Sequence, residues 1–268
     1  MKTVKKFIKS AFSILSLTYL SLVLIGWLYS DSLIFFPQKD SYAWTADLIK
    51  IPVPDSDDKT GSHYIVARYL INPESRYTLI YSHGNATDIS QLTYLQSQFY
   101  NHGFSVISYD YSGYGLSEGR VSEQQVYDDV QAVYQYLLAE HALKPEDIIS
   151  YGHSLGSAVA TDLAFNHRVA ALILESPFVS AFRVRTVIKM VPFDKFSSID
   201  KIASIDAPVL VLHSQDDPIV PFWHGEALYE KARQPKVKRW FEDAGHAGIT
   251  HDKFFWPVLD SFVTDLSY

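Results

Sequence analysis

The chain has 268 residues, a formal charge of −7, 47% hydrophobic and 20% charged residues, and no cysteine. That length and composition suit one large domain or two small ones with a real core, and exclude a disordered chain. The acidic balance, with no long basic stripe beyond the N-terminus, speaks against nucleic-acid binding, and the lack of cysteine excludes disulfides, thiolate metal sites and a cysteine nucleophile.

The N-terminus opens with Lys2, Lys5, Lys6 and Lys9 and then runs uncharged from Ala11 to Tyr29. As a helix that run is about 28 Å long, close to the roughly 30 Å hydrocarbon thickness of a bilayer. Tyr19, Trp27 and Tyr29 add interfacial aromatics, and the lysines would stay on the cytoplasmic side while the rest is translocated. The run is too long and lacks the small-residue site of a cleaved signal peptide. A buried core helix fits poorly, because nearly every face is apolar. The expectation is therefore a cytoplasmic start and anchor over residues 1–32, and one folded domain over 33–268. A bacterial inner membrane with the domain in the periplasm fits this layout. The apolar patch Ser30–Gln38 is expected on the membrane-facing side.

Beyond it, strand-like and helical runs alternate. His63–Leu70 reads as a strand, preceded by a turn over Pro54–Gly61 and an earlier short strand. Tyr77–Ser82, Phe104–Asp110, Asp147–Gly152, Val169–Ser176, Ala207–Ser214 and Lys236–Asp243 read as further strands. Helical spacing covers Asp88–Gly103, Ser122–His141 with Ser122 as N-cap, Leu155–His167, Pro221–Arg233 and Asp252–Leu266. "LIYS", "ALILES" and "VLVLHS" are almost wholly apolar, as strands buried on both faces are. The alternation predicts an α/β fold, a mostly parallel central sheet with helices on both faces. A segment over about 177–204 is longer than a crossover needs and reads as a short lid.

Such sheets carry their sites at the carboxyl ends of the strands. "YGHSLGSA" puts Ser154 in G-x-S-x-G between a strand and a helix, a pattern that arises by chance in about one chain in ten of this length. After Tyr77–Ser82 comes "HGNA", where the Asn85 amide can face the Leu155 amide as a pair of oxyanion donors. After Ala207–Ser214 stand Asp216 and Asp217, either able to orient a histidine, and after the final strand His246 lies in the loop "EDAGHAG". The order Ser, Asp, His is that of an α/β-hydrolase triad. Glu175 is a further candidate acid and His251 a second candidate base. His153 and Asp110 read as loop or packing residues, and His102, His141 and His167 as solvent-facing residues at helix ends.

From about Leu33 onward, "YSHGNATD", "SYDYSGYGLSEG", "YGHSLGSA", "LESPF", "HSQDDPIVP" and "AGHAG" together resemble the α/β-hydrolase superfamily. More narrowly the chain resembles the membrane-associated α/β-hydrolase domain-containing serine hydrolases, which include protein depalmitoylases. Ser214 stands where that family often has glycine. The resemblance implies Ser154 as nucleophile, Asp217 and His246 as its partners, and hydrolysis of an ester or thioester of a small-molecule or acylated substrate. It implies no cofactor and no metal. Two other readings compete. A serine peptidase of the aminopeptidase-like branch would need acidic groups in the lid, where Arg183, Arg185, Lys189, Lys195 and Lys201 outnumber Asp194 and Asp200. A non-catalytic scaffold would have lost a triad member.

Overall fold

The computed structural model describes residues 2–54 and 61–266. Its core is an eight-stranded sheet in the order β1-β2-β4-β3-β5-β6-β7-β8. The strands are β1 Leu48–Pro54, β2 Ser62–Leu70, β3 Thr78–Ser82, β4 Ser105–Tyr109, β5 Ile148–His153, β6 Ala171–Glu175, β7 Val209–Ser214 and β8 Lys236–Phe241. From β4 to β8 every pairing is parallel, whereas β1 and β2 run antiparallel at one edge. The turn read over Pro54–Gly61 falls on residues 55–60, outside the described residues.

Alternation along each strand divides the core between two faces. Ile80, Ile107 and Ile148 point toward α3 (Glu123–Glu140) and α4 (Leu155–Asn166), where they meet Val126, Val130, Val133 and Val159. Their neighbours Leu79, Val106 and Ile149 point the other way, toward Phe99 of α2 (Thr93–Asn101) and Phe255, Leu259 and Phe262 of α7 (Phe255–Asp265). Leu172, Leu174, Val209 and Val211 continue the α4 face under Leu228 of α6 (Trp223–Lys231). Each such fully buried Leu, Ile, Val or Phe contributes about 1.5–3 kcal/mol of transfer free energy. Ser122 caps α3 by accepting the Gln125 N–H at 3.1 Å.

Segment 177–204 is irregular, with 3₁₀ turns at Phe182–Val184 and Ile202–Ser204 around a one-turn helix α5, Ser198–Lys201. The N-terminal helix α1 runs Lys2–Ile34, longer than its uncharged stretch. Within Val4–Ile34 its most apolar 18-residue stretch has mean hydropathy 1.9 and is unburied. Along this segment the Tyr19 hydroxyl donates to Met190 O at 3.1 Å, and Lys195 Nζ pairs with Asp31 at 2.8 Å.

Two sequence expectations are corrected here. Helix α2 starts at Thr93, not Asp88, because the Asp88 carboxylate accepts the Ser90 N–H at 2.8 Å and holds a turn there. Phe35 lies in the core rather than on a membrane-facing patch, edge-on to Phe196 at 5.8 Å between ring centroids. His102, His141 and His167 stand at the C-termini of α2, α3 and α4 as expected, His102 exposed and the other two half-buried. Each also packs on an aromatic ring: His102 stacks on Trp256 at 3.7 Å, His141 meets Tyr69 at 4.9 Å and His167 meets Tyr134 at 4.9 Å.

Candidate active site

β5 runs straight into the turn at Ser154, and α4 begins at the next residue. The turn is tight because two glycines let three backbones touch. A Cβ at Gly152 would lie 2.0 Å from Gly156 O, and one at Gly156 would lie 1.9 Å from Ser82 O. Between them Ser154 takes φ +53° and ψ −117°, a conformation disfavoured for an L residue. Its N–H donates to Glu175 O at 2.9 Å, which pins the turn to the neighbouring strand. The turn thus projects the Ser154 side chain at the carboxyl edge of the sheet.

There Ser154 Oγ lies 2.8 Å from His246 Nε2, and His246 Nδ1 lies 2.7 Å from Asp217 Oδ2. The carboxylate only accepts, so Nδ1 carries the proton and Nε2 is free to accept from the serine hydroxyl. The His246 carbonyl accepts Ser176 Oγ–H at 2.9 Å and His153 Nε2–H at 3.1 Å, so its loop is fixed from two sides.

Asp217 is held from the opposite side. Its Oδ1 accepts the Ile219 and Val220 N–H groups at 2.8 and 2.9 Å. His213 Nε2–H donates to Val220 O at 3.0 Å and approaches Asp217 Oδ2 at 3.4 Å. Burial alone would raise the Asp217 pKa, but the contacts from His213 and His246 and the Val220 amide hold it well below the usual carboxylate range. A depressed carboxylate pKa contributes stability that is full above the unfolded value of about 4 and is lost as pH falls toward the folded value. The melting-temperature gap between wild type and Asp217→Asn should therefore narrow as pH is lowered from about 6 to about 3 in a thermal-shift series. A gap constant with pH would contradict the depression.

The other acids and the second histidine nearby have partners of their own. Asp216 accepts Gly245 N–H at 2.8 Å and so supports the His246 loop. Glu175 is buried and accepts the Tyr151 hydroxyl at 2.6 Å. His251 stacks on Tyr94. Asp110 accepts the Ile89 N–H at 2.8 Å and the Tyr42 hydroxyl; burial pushes its pKa up to about 7.

Asn85 follows Gly84, whose α-carbon faces the site: a Cβ there would lie 3.7 Å from Ser154 Cβ and 3.0 Å from His153 Nδ1. Leu155 is the first residue of α4, where a helix N–H has no intrahelical acceptor. Among the described residues neither the Asn85 nor the Leu155 N–H has a backbone acceptor outside the helices and strands. His83, beside them, is buried; burial lowers its pKa to about 4, so it is neutral, with Nδ1–H donated to Gly84 O at 2.7 Å. Sequence reading left unassigned His213 and Ser176, whose signal was their place at the ends of β7 and β6. Among the described residues no group of three or more His, Asp and Glu side chains is arranged to hold a metal ion.

The fold and the motifs have known counterparts. A sequence model of the family described as "Serine aminopeptidase, S33" matches residues 73–196. Alpha/beta hydrolase domain-containing protein 17B of Homo sapiens is 41% identical over 200 residues, which cover 72% of this chain and 68% of that protein. Alpha/beta hydrolase domain-containing protein 17C of Mus musculus is 43% identical over 199 residues, covering 72% of this chain and 61% of that protein. The chain thus spans about three-fifths of the length of the 17C relatives it matches. Among solved structures, a Pyrococcus furiosus esterase superposes with TM-score 0.69 at 17% identity, covering 85% of this chain and 98% of the esterase. A Paleococcus ferrophilus monoacylglycerol lipase does so with TM-score 0.59 at 20% identity, over 75% and 98% of the two chains. At those identities the superpositions carry the fold, and the sequence matches carry the family: the chain belongs to the α/β-hydrolases, with the α/β-hydrolase domain-containing protein 17 relatives.

Proposed function

We propose that the chain is a membrane-anchored serine hydrolase that cleaves ester or thioester bonds of acyl groups through an acyl-enzyme. The observation that carries this reading is the unbroken chain of hydrogen bonds from Ser154 through His246 to Asp217, at 2.8 and 2.7 Å. In this mechanism His246 Nε2 takes the Ser154 proton as Oγ attacks the carbonyl carbon, and Asp217 stabilises the imidazolium that forms. The Asn85 and Leu155 N–H groups receive the oxyanion. His246 then gives its proton to the leaving alkoxide or thiolate, and a water, deprotonated by the same ring, releases the acid.

Membrane anchoring is supported by α1, whose Phe7, Phe12, Leu15, Leu17, Leu20 and Trp27 are all exposed. An exposed apolar surface of that extent marks a site of contact with a membrane or another protein. In this reading the lysines at the start stay cytoplasmic and the hydrolase domain is translocated. Extraction of host membranes with alkaline carbonate should leave the full chain in the pellet, and its release into the supernatant would overturn the anchor.

An acylated protein is the substrate class favoured by the family resemblance, and the segment 177–204 argues against a free peptide. Aminopeptidase chemistry needs a carboxylate for the substrate amine. Asp194 is already engaged by Ser180 Oγ–H at 2.6 Å and by the Phe182 and Lys195 N–H groups, and Asp200 by Ser197 Oγ–H at 2.6 Å. Arg183, Arg185 and Lys189 make no ion pair among the described residues. The test is a panel of p-nitrophenyl esters and acyl thioesters of increasing chain length against one aminoacyl p-nitroanilide. Turnover confined to acyl esters and thioesters is expected; preference for the anilide would overturn the esterase reading.

A further inference from the structure

The stretch from Ser82 to Ala86 is gripped more completely than a loop needs to be. Three tyrosines from the end of β4 and the loop after it reach along it in step. Tyr109 OH bonds Ser82 Oγ at 2.8 Å, Tyr111 OH donates to His83 O at 2.7 Å, and Tyr114 OH donates to Asn85 Oδ1 at 2.7 Å. The rings support one another edge-on, with centroids 5.5 and 5.6 Å apart. All three are fully buried, so their hydroxyls cannot trade these partners for water without disrupting the core.

On the opposite side the Asn85 carboxamide bridges to the end of α1. Its Oδ1 accepts the Phe36 N–H at 3.1 Å, and its Nδ2–H donates to Ile34 O. One side chain thereby bonds the backbone on both sides of Phe35. Phe35 is itself only 4% exposed and fixed against Phe196, so the segment it bonds is not free to drift. Gln38 Nε2 adds a bond to the next carbonyl, Ala86 O, at 3.2 Å.

We propose that the Asn85 side chain is a positioning residue: by tying Tyr114 to the end of α1, it holds its own amide where the oxyanion forms. The role rests on the oxyanion reading of that amide given above. A donor contributes to a transition state only if it is already oriented when charge develops, and displacements near 1 Å forfeit much of its effect. The bridge also ties residues 34–36, at the domain end of the apolar helix, to the loop that carries the Asn85 amide.

The test compares wild type, Asn85→Ala and Tyr114→Phe as full chains in detergent. It measures kcat and KM on p-nitrophenyl butyrate, the inhibition constant of a trifluoromethyl ketone, and the melting temperature. The ketone forms a tetrahedral adduct with its oxyanion in the hole, so its affinity reports the placement of the donor. Asn85→Ala is expected to lower kcat by roughly 10- to 100-fold, with KM within about twofold and ketone affinity falling in parallel. Tyr114→Phe, which deletes one hydroxyl, should lose kcat by a smaller factor with the same split, and decides the matter if Asn85→Ala does not fold. An unchanged kcat, or a loss of kcat with ketone affinity intact, overturns the positioning role while wild-type turnover keeps the hydrolase reading standing. A wild type that neither hydrolyses the ester nor reacts with a fluorophosphonate overturns both.

Discussion

Ser154→Ala should abolish fluorophosphonate labelling and lower p-nitrophenyl ester turnover by about 10⁴-fold or more, since no other group replaces the attacking oxygen. The same position gives a second, opposite result. Ser154 is held at φ +53° and ψ −117°, which an L residue adopts only under strain. Such strain costs on the order of 1–3 kcal/mol, and alanine retains it because it keeps the Cβ. Ser154→Gly should release it and raise the melting temperature by roughly 2–6 °C while remaining as inactive as Ser154→Ala. A labelled Ser154→Ala chain would remove the nucleophile assignment. A Ser154→Gly chain that melts no higher than Ser154→Ala would show that the turn stores no strain. Together the variants separate chemistry from conformation at one residue.

Much of this site is legible in the sequence because parallel α/β sheets deliver their functional groups at strand ends. Ser154 and Asp217 each stand within a few residues of a buried strand, β5 and β7, whereas His246 follows the edge strand β8, KVKRWF, which is legible from its place in the alternation rather than from apolarity. The order of the three along the chain suggests a role for each. The apolar strands themselves follow from burial on both faces, so β3, β6 and β7 are readable from composition alone. What the sequence does not disclose is pairing across long separations between residues of ordinary type. Asn85 and Phe36 are bonded through atoms every asparagine and every backbone possesses, and only the folded path of α1 brings them together. Phe35 misleads for a related reason: apolarity does not distinguish a membrane-facing side chain from one that belongs in the core. At Asp88 the local competition between a side-chain turn and a helix start was decided for the turn, which moves α2 to Thr93. Residue type and position alone leave the acid open between Asp216 and Asp217; the family resemblance implies Asp217, and in the structure Asp216 meets Gly245 N–H while Asp217 meets His246.

Gly156→Ala should damage the protein more broadly than any substitution of the triad. The added Cβ would fall 1.9 Å from Ser82 O, 2.5 Å from Ser82 C and 2.8 Å from His83 O. These are backbone atoms of β3 and the loop after it, so no side chain can rotate away. Either α4 lifts from the sheet or the end of β3 is displaced, and the second outcome drags Gly84 and Asn85 with it. Overpacking of this kind costs typically about 1–3 kcal/mol, which in a chain of this size lowers the melting temperature by roughly 2–10 °C. Gly26→Ala is the matched control, since its Cβ would meet Phe193 at 3.8 Å, an ordinary contact. The expected pattern is a lower melting temperature and at least tenfold weaker turnover for Gly156→Ala, against wild-type behaviour for Gly26→Ala. Gly156→Ala matching wild type in both would mean that helix and strand are not in the contact described. A loss of turnover without a loss of stability would locate the damage in the loop that carries Asn85 rather than in the core, and would tie the glycine spacing of the turn directly to the placement of the two amides proposed as oxyanion donors.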